Sequence, residues 1–214
     1  MKPARSWSIN LACALACGAV SACTGAGSQA AYERQPAGAL PASTAAGFMQ
    51  NLSVHCGQAY AGRVLTNLPE QADDPFAGQP LVMHVRECSQ DHIKIPFHVG
   101  EDRSRTWVIS RTTTGLRLKH DHRHRDGSED AVTQYGGDTA EPGTHERQEF
   151  PVDADSIAMF QREALTASVT NTWAMEIEPG SRFLYELSRP GGRLFQVEFD
   201  LTQAVTPPPA PWGH

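Results

Sequence analysis

"LFQVEFDL", residues 194–201, is the stretch that decides the fold of this chain. Phe195, Val197, Phe199 and Leu201 fall on one side of an extended segment and Gln196, Glu198 and Asp200 on the other, as a half-buried strand requires. The same period of two runs through "TWAMEIE" (172–178), with Trp173, Met175 and Ile177 inward, and "RFLYEL" (182–187), with Phe183, Tyr185 and Leu187 inward. Further strands are expected at Ala59–Thr66, Leu81–Cys88, His92–Val99, Thr106–Thr112, Leu116–His124, Val132–Gly136 and Glu146–Phe150. Turn residues separate them closely, at Ser89-Gln90-Asp91, Thr114-Gly115, Asp126-Gly127, Pro179-Gly180 and Gly191-Gly192. Such short links join antiparallel neighbours, because parallel strands need a long crossover.

Two helices are expected beside this sheet. Residues 153–165 begin with Asp153 or Asp155 as N-cap and place Ile157, Phe160, Ala164 and Leu165 on one stripe. Residues 45–56 bring Phe48, Leu52 and Cys56 together, with Gly57 as terminator. A one-sided apolar sheet must cover that face and hide its two edges, and a closed barrel does both. The expected fold is all-β, an antiparallel meander β-barrel of about 8–10 strands with two short helices.

A short helix leading into a meander of hairpins resembles the calycin group, whose lipocalins include outer-membrane lipoproteins. The lipocalin Gly-x-Trp signature is absent at the first strand, which opens Gly57-Gln58-Ala59-Tyr60. The run from "LVMH" (81–84) through "HVGEDRSRTW" (98–107) to "LKHDHRH" (118–124) and "TQYGG" (133–137) also resembles an uncharacterised family of bacterial exported proteins, which implies no function.

The amino-terminal stretch MKPARSWSINLACALACGAVSAC has the charges of Lys2 and Arg5, a short apolar run and small residues before Cys23, the pattern of a signal peptide over residues 1–22. Val20-Ser21-Ala22-Cys23 resembles the lipobox of bacterial lipoproteins, which implies a Cys23 carrying acyl chains and a protein held on a bilayer by them. An ordinary signal peptide that leaves Cys23 as a thiol is the alternative. Thr24 stands where an Asp retains enterobacterial lipoproteins at the inner membrane, so the resemblance implies an outer-membrane anchor facing the periplasm. Residues 23–44 read as the lipidated cysteine and a flexible Ala/Gly/Ser/Pro spacer, 45–205 as one β-barrel domain, and 206–214, TPPPAPWGH, as a Pro-rich disordered tail.

Cys13 and Cys17 would leave with the signal peptide and Cys23 would carry lipid, leaving Cys56 and Cys88. In an oxidising compartment this pair reads as one disulfide contributing about 2–4 kcal/mol; two buried thiols are the alternative. Removal of residues 1–22 takes Lys2 and Arg5 away and moves the formal charge from −6 to −8, which disfavours nucleic acid as a partner. The expected partners are a membrane, through the lipid, and a small hydrophobic or anionic ligand.

Chemistry concentrates in "LRLKHDHRHRDG" (116–127). On an unbulged strand Leu116, Leu118, His120, His122 and His124 share the inward face, while Arg117, Lys119, Asp121 and Arg123 face ordinary solvent. The imidazoles then form a polar plug bonded to water and to carboxylates near Asp126, Glu129 and Asp130, or line a cavity with His122 able to change charge near neutral pH, or bind a metal. Tyr135-Gly136-Gly137 suggests a bulge or a close backbone approach beside them, and His120, His122, His124 and Tyr135 are the candidate ligand-binding residues.

The metal reading rests on a resemblance to cupins. Gly115, six residues, His122-Arg123-His124, four residues, Glu129, six residues and Gly136 approximate the first cupin motif, and Pro142-Gly143-Thr144-His145 a shortened second one. The first spacing is one residue too long and no strands separate the motifs. Carried over, the resemblance makes His122, His124, Glu129 and His145 ligands of a divalent metal; no other cofactor is expected. "GEDRSRTW" (100–107) reads as a loop holding an internal salt-bridge cluster or, less simply, an anion. No His-Glu-x-x-His, Gly-x-Ser-x-Gly, phosphate-loop or Gly-x-Gly-x-x-Gly motif occurs. The composite expectation is a lipid-anchored envelope barrel that binds a small ligand. A cupin-like metal-dependent enzyme and an envelope lipoprotein without pocket chemistry are the alternatives.

Overall fold

The alternating stretch at 194–201 lies within the longest strand of the protein, Arg193–Val205, in a computed structural model that describes residues 43–70 and 73–214. The expected signal peptide, Cys23 and most of the spacer lie outside the described residues. In chain order the elements are α1 (Thr44–Ser53), β1 (Ala59–Leu68), β2 (Leu81–His84), β3 (Glu87–Cys88), β4 (His92–Val99), β5 (Asp102–Arg111) and β6 (Leu116–His122). They continue with β7 (Tyr135–Asp138), β8 (Arg147–Pro151), α2 (Ala154–Arg162), a 3-10 turn at Thr166–Thr170, β9 (Thr172–Glu178), β10 (Arg182–Arg189) and β11 (Arg193–Val205).

All pairings are antiparallel, and the sheet runs β7-β6-β5-β4-β2-β1-β11-β10-β9-β8 with β3 hung on β4. Neighbours in space are thus neighbours in sequence, except where β4 pairs with β2 past the short β3 and where β1 meets β11, the first and last strands. The result is a nearly closed ten-strand barrel with two helices. Its inward rows are the expected ones: Phe195, Val197, Phe199 and Leu201 from β11, Phe183 and Tyr185 from β10, and Trp173, Met175 and Ile177 from β9 are all buried. Two register shifts bend β1 around this core, and the first, at Tyr60/Gly62, needs glycine, since a Cβ on Gly62 would lie 2.5 Å from the Phe199 ring.

β7 and β8 are the two edges, and they meet without a ladder. Gly136 donates its N–H to Ser156 Oγ (2.9 Å), while its carbonyl accepts from Asp153 N (2.9 Å) and Ser156 Oγ (3.2 Å). The first turn of α2 thereby satisfies backbone groups that a paired strand would otherwise take. A Cβ on Gly137 would sit 1.8 Å from the Pro151 carbonyl, and one on Gly136 1.9 Å from that of Leu118, so only glycine permits this approach. The close approach expected at Tyr135-Gly136-Gly137 is the seam of the barrel.

α1, capped by Ser43, buries Phe48, Met49 and Leu52 over one end of the barrel. Gly47 lets it lie against the His145 ring, and Asn51 Nδ2 donates to the His145 carbonyl (2.9 Å). A disulfide joins Cys56 to Cys88 and ties the turn after α1 to β3. Each fully buried aromatic or aliphatic side chain contributes about 1.5–3 kcal/mol.

Several expected elements differ in extent. The single strand over Leu81–Cys88 divides into β2 and β3, because β1 begins at Ala59, opposite His84, and offers no partner beyond it. The strand over 132–136 starts only at Tyr135, since Gln134 at φ 55° breaks the extended backbone. "GEDRSRTW" is not a loop: Gly100 (φ 57°) makes a tight turn and β5 begins at Asp102, whose carboxylate pairs with Arg105. α1 ends before Cys56, and Met49 takes its place on the stripe. α2 ends at Arg162, before Ala164 at φ 59°, and buries Ser156, Met159 and Phe160 in place of the Ile157–Leu165 stripe.

The tail expected to be disordered is docked on the outer wall. Trp212 N donates to the Arg103 carbonyl (3.0 Å), Arg103 Nη1 to the Ala210 carbonyl (3.2 Å), and His214 Nε2 lies 3.1 Å from Asp121 Oδ2. Polyproline geometry makes no internal hydrogen bonds, which leaves the tail free to use those of β5. It also covers Asp121, which is buried and paired with Arg123, so the outward face of β6 is not ordinary solvent throughout.

Replacing Gly137 with alanine is expected to destabilise the protein by about 3 kcal/mol or more through forced overlap at the seam. Urea unfolding checks this, and an unchanged midpoint would show that β7 and β8 do not meet as described.

Candidate functional site

Along the barrel axis the inward rows change character. β5 reads Ile109, Trp107, Arg105 from the α1 end toward the other, β6 reads Leu118, His120, His122, and β10 reads Phe183, Tyr185, Leu187, Arg189. Aliphatic and phenyl side chains fill the end that α1 covers, larger rings stand in the middle, and cations and imidazole reach the opposite mouth. There a cavity of about 250 Å³ opens.

Its floor is a stack of rings. Trp107 and Tyr185 lie nearly parallel at 4.5 Å, His120 and Tyr135 at 4.6 Å, and Trp173 tilts against His120 at 5.1 Å. Phe160 from α2 closes one side against Tyr135, and Phe76, from the loop between β1 and β2, stands near Phe195 and Phe97 on the other. The rim holds Arg105, Arg189 and Arg193, and among the described residues no carboxylate lines the cavity.

His120 has both ring nitrogens occupied. Nδ1 lies 3.1 Å from the Tyr135 carbonyl, which can only accept, so Nδ1 carries the proton and Nε2 accepts from the Tyr185 hydroxyl at 2.9 Å. Burial pushes its pKa down to about 3. His122 sits one step nearer the mouth, with Nε2 3.1 Å from the Tyr135 hydroxyl, and burial together with the Arg105 charge lowers it to about 4. The expectation that His122 changes charge near neutral pH is therefore corrected: desolvation keeps it neutral. Burial raises both Tyr135 and Tyr185 well above the usual phenol range, so both remain hydrogen-bond donors.

Of the four expected ligand-binding residues, His120, His122 and Tyr135 line the cavity and His124 does not. β6 ends at His122, the chain turns at Asp126-Gly127, and His124 is exposed 3.9 Å from Asp130. The four residues of the cupin-like set are not brought together. His122 faces the cavity, His124 lies outside, Glu129 pairs with Arg123 at 3.1 Å, and His145 packs on α1. Among the described residues no group of three or more His, Cys, Asp or Glu side chains is placed to hold a metal. The chemistry such a lining can perform is recognition of a flat apolar body by stacking and of a polar group by donors.

Arg189 and Arg193 are the residues that the sequence reading missed; Arg105 stood in "GEDRSRTW", read as a salt-bridge cluster or an anion loop, and it pairs with Asp102. Arg189 and Arg193 flank Pro190-Gly191-Gly192 and continue the periods of Tyr185-x-Leu187 and Phe195-x-Val197, so extending the alternation up to the turn would have put both inward.

No family model matches the chain, and no curated protein matches it. A solved structure, that of a redesigned β-barrel, mFAP1, bound to DFHBI, is similar over 72% of this chain and 97% of that one, at 9% identity and a TM-score of 0.28.

The buried histidines set a pH window for stability. His98, His120 and His122 have folded pKa values of about 4, 3 and 4, below the ordinary 6.5. The unfolded chain takes up their protons first, so the stabilisation is complete above pH 6.5 and falls as pH drops toward 4. Thermal unfolding between about pH 6.5 and 4.5, above the range of most carboxylates, is expected to show a progressive fall in Tm. A flat profile across that window would contradict the buried neutral imidazoles.

Proposed function

We propose that this protein is a lipid-anchored envelope β-barrel that binds a small aromatic molecule in the cavity at its open mouth. The observation that carries this reading is the cavity itself: about 250 Å³ of space walled by Trp107, Trp173, Tyr135, Tyr185, Phe76 and Phe160. Ligand sites are typically concave, mostly apolar, and supplied with a few convergent polar groups, at about 300–1,000 Å³. At about 250 Å³ this cavity falls just below that range, which favours a single-ring or fused two-ring body over a long acyl chain. Leu187 and Val132 narrow it further along its sides.

The anchor is supported by the Val20-Ser21-Ala22-Cys23 stretch behind Lys2, Arg5 and a short apolar run. The Cys56–Cys88 disulfide fits an oxidising compartment, as the periplasm is. Thr24 in place of Asp favours the outer membrane, facing the periplasm. Among the described residues no helix is long and apolar enough to cross a membrane. Acyl chains on Cys23 are the proposed attachment.

Two experiments test this reading. Flat aromatics, 2-naphthoate and 2-naphthalenemethanol, are titrated while Trp107 and Trp173 fluorescence and Tm are followed. Binding by either is expected to alter emission and raise Tm, and Leu187→Trp, which fills the cavity, is expected to abolish both effects. Binding that survives Leu187→Trp would place the site elsewhere. For the anchor, cells fed labelled palmitate are expected to label the wild-type protein and not Cys23→Ala, which should become soluble after spheroplasting; label retained in Cys23→Ala would contradict lipidation at that position.

A further inference from the structure

We infer that the mouth of the cavity is an anion site, in which Arg189 and Arg193 together hold the carboxylate of an aromatic acid whose ring stacks on the floor. This rests on the cavity reading above and adds the chemical class of the ligand.

The two arginines are Cα partners directly across the β10–β11 hairpin. Like charges in that position destabilise a hairpin, and this one offers little relief. Among the described residues neither guanidinium has a carboxylate within 4 Å, and the Nε atoms of both are buried without a partner. Arg193 uses only Nη1, toward Asn67 Oδ1 at 2.6 Å and the Leu68 carbonyl at 3.1 Å. The nearby carboxylate of Asp74 is engaged elsewhere, by Asn67 Nδ2 (2.8 Å) and the Phe76 amide (2.9 Å). Burial and the Arg189 charge lower the Arg193 pKa and outweigh the opposing pull of the Asp74 carboxylate.

Elsewhere on the wall Arg103 and Arg111, also without an acid within 4 Å among the described residues, bond to backbone carbonyls, and other arginines find acids. Arg63, Arg117, Arg147 and Arg182 all pair with acids, Arg147 with Glu149, Glu176 and Glu186 together. The third cation at the rim, Arg105, is already paired with Asp102. A chain with 24 acidic and 18 basic residues therefore keeps acids away from one cavity and leaves two facing guanidiniums there without a carboxylate. Buried donors left unmade are costly, and a guanidinium fork matches the two oxygens of a carboxylate. The Arg193 guanidinium also lies 5.7 Å from the Phe195 ring centre, which holds it over the apolar wall. An anion between the two arginines would be held by Nη donors of both guanidiniums and cancel their repulsion, with its ring directed down toward Trp107 and Tyr185.

The test compares 2-naphthoate with its neutral analogue 2-naphthalenemethanol by isothermal titration calorimetry on the full-length protein. The variants are Arg189→Gln, Arg193→Gln and the charge-preserving pair Arg189→Lys and Arg193→Lys. The acid is expected to bind at least about tenfold more tightly than the alcohol, with the preference lost in either glutamine variant and weakened in the lysine variants, which keep charge and lose the fork. Ligand-free Arg189→Gln is expected to melt no lower than wild type, because it removes a repulsion. A lower Tm would mark Arg189 as a structural cation and overturn the inference. Equal affinity for acid and alcohol would overturn it and leave the cavity reading standing, as would an acid preference that survives both glutamine substitutions. Failure of both compounds to bind wild-type protein would remove the cavity reading and this inference with it.

Discussion

The structure depends on how a ten-strand sheet disposes of its last two edges. β7 and β8 carry backbone donors and acceptors that must be met, yet they share no ladder. The solution is the approach of two glycines, Gly136 and Gly137, to carbonyls that any Cβ would strike, with Ser156 and Asp153 of the α2 start bonded to Gly136. That contact fixes α2 against the seam. It thereby sets Phe160 against Tyr135, and Tyr135 over His120.

From this closure the asymmetry of the barrel follows. α1 seals one end with Phe48 and Leu52, so apolar side chains can fill that half to the density of an ordinary core. The other half ends in aromatic rings and cations that do not fill the lumen. His120 marks the boundary: it is buried, neutral and bonded on both nitrogens, and it supplies a polar link between β6, β7 and β10 without presenting a charge to the cavity. The charges at the mouth come from Arg105, Arg189 and Arg193, the last two facing each other across the β10–β11 hairpin.

Much of this was legible in the chain because strands report their orientation with a period of two. β4 and β9 have the expected bounds, the core rows of β9, β10 and β11 point inward as read, and Cys56 and Cys88 are joined. What was hidden are features that long-range contacts decide. His124 belongs to the alternation of His120 and His122 on paper, yet β6 loses its partners after His122 and the chain turns away. Asp121 looked solvent-facing because nothing in its neighbourhood announces that residues 210–214 will cover it. The His-x-His spacing suggested a metal set, but spacing says nothing of which side of the wall each residue occupies, and His122 and His145 end on different sides of it. Arg189 and Arg193 were visible in principle and were passed over because a charged residue beside a Gly-Gly turn is usually solvated.

The central claim is that the lumen beyond His120 is open, apolar-walled space and not packed side chains. Crystals of the protein held under xenon pressure measure this most directly, since xenon enters dry apolar cavities and not filled cores. Xenon density is expected between Trp107, Trp173 and Tyr185, and is expected to be lost in Leu187→Trp. Absence of xenon, with the aromatic rings collapsed across the mouth, would contradict it.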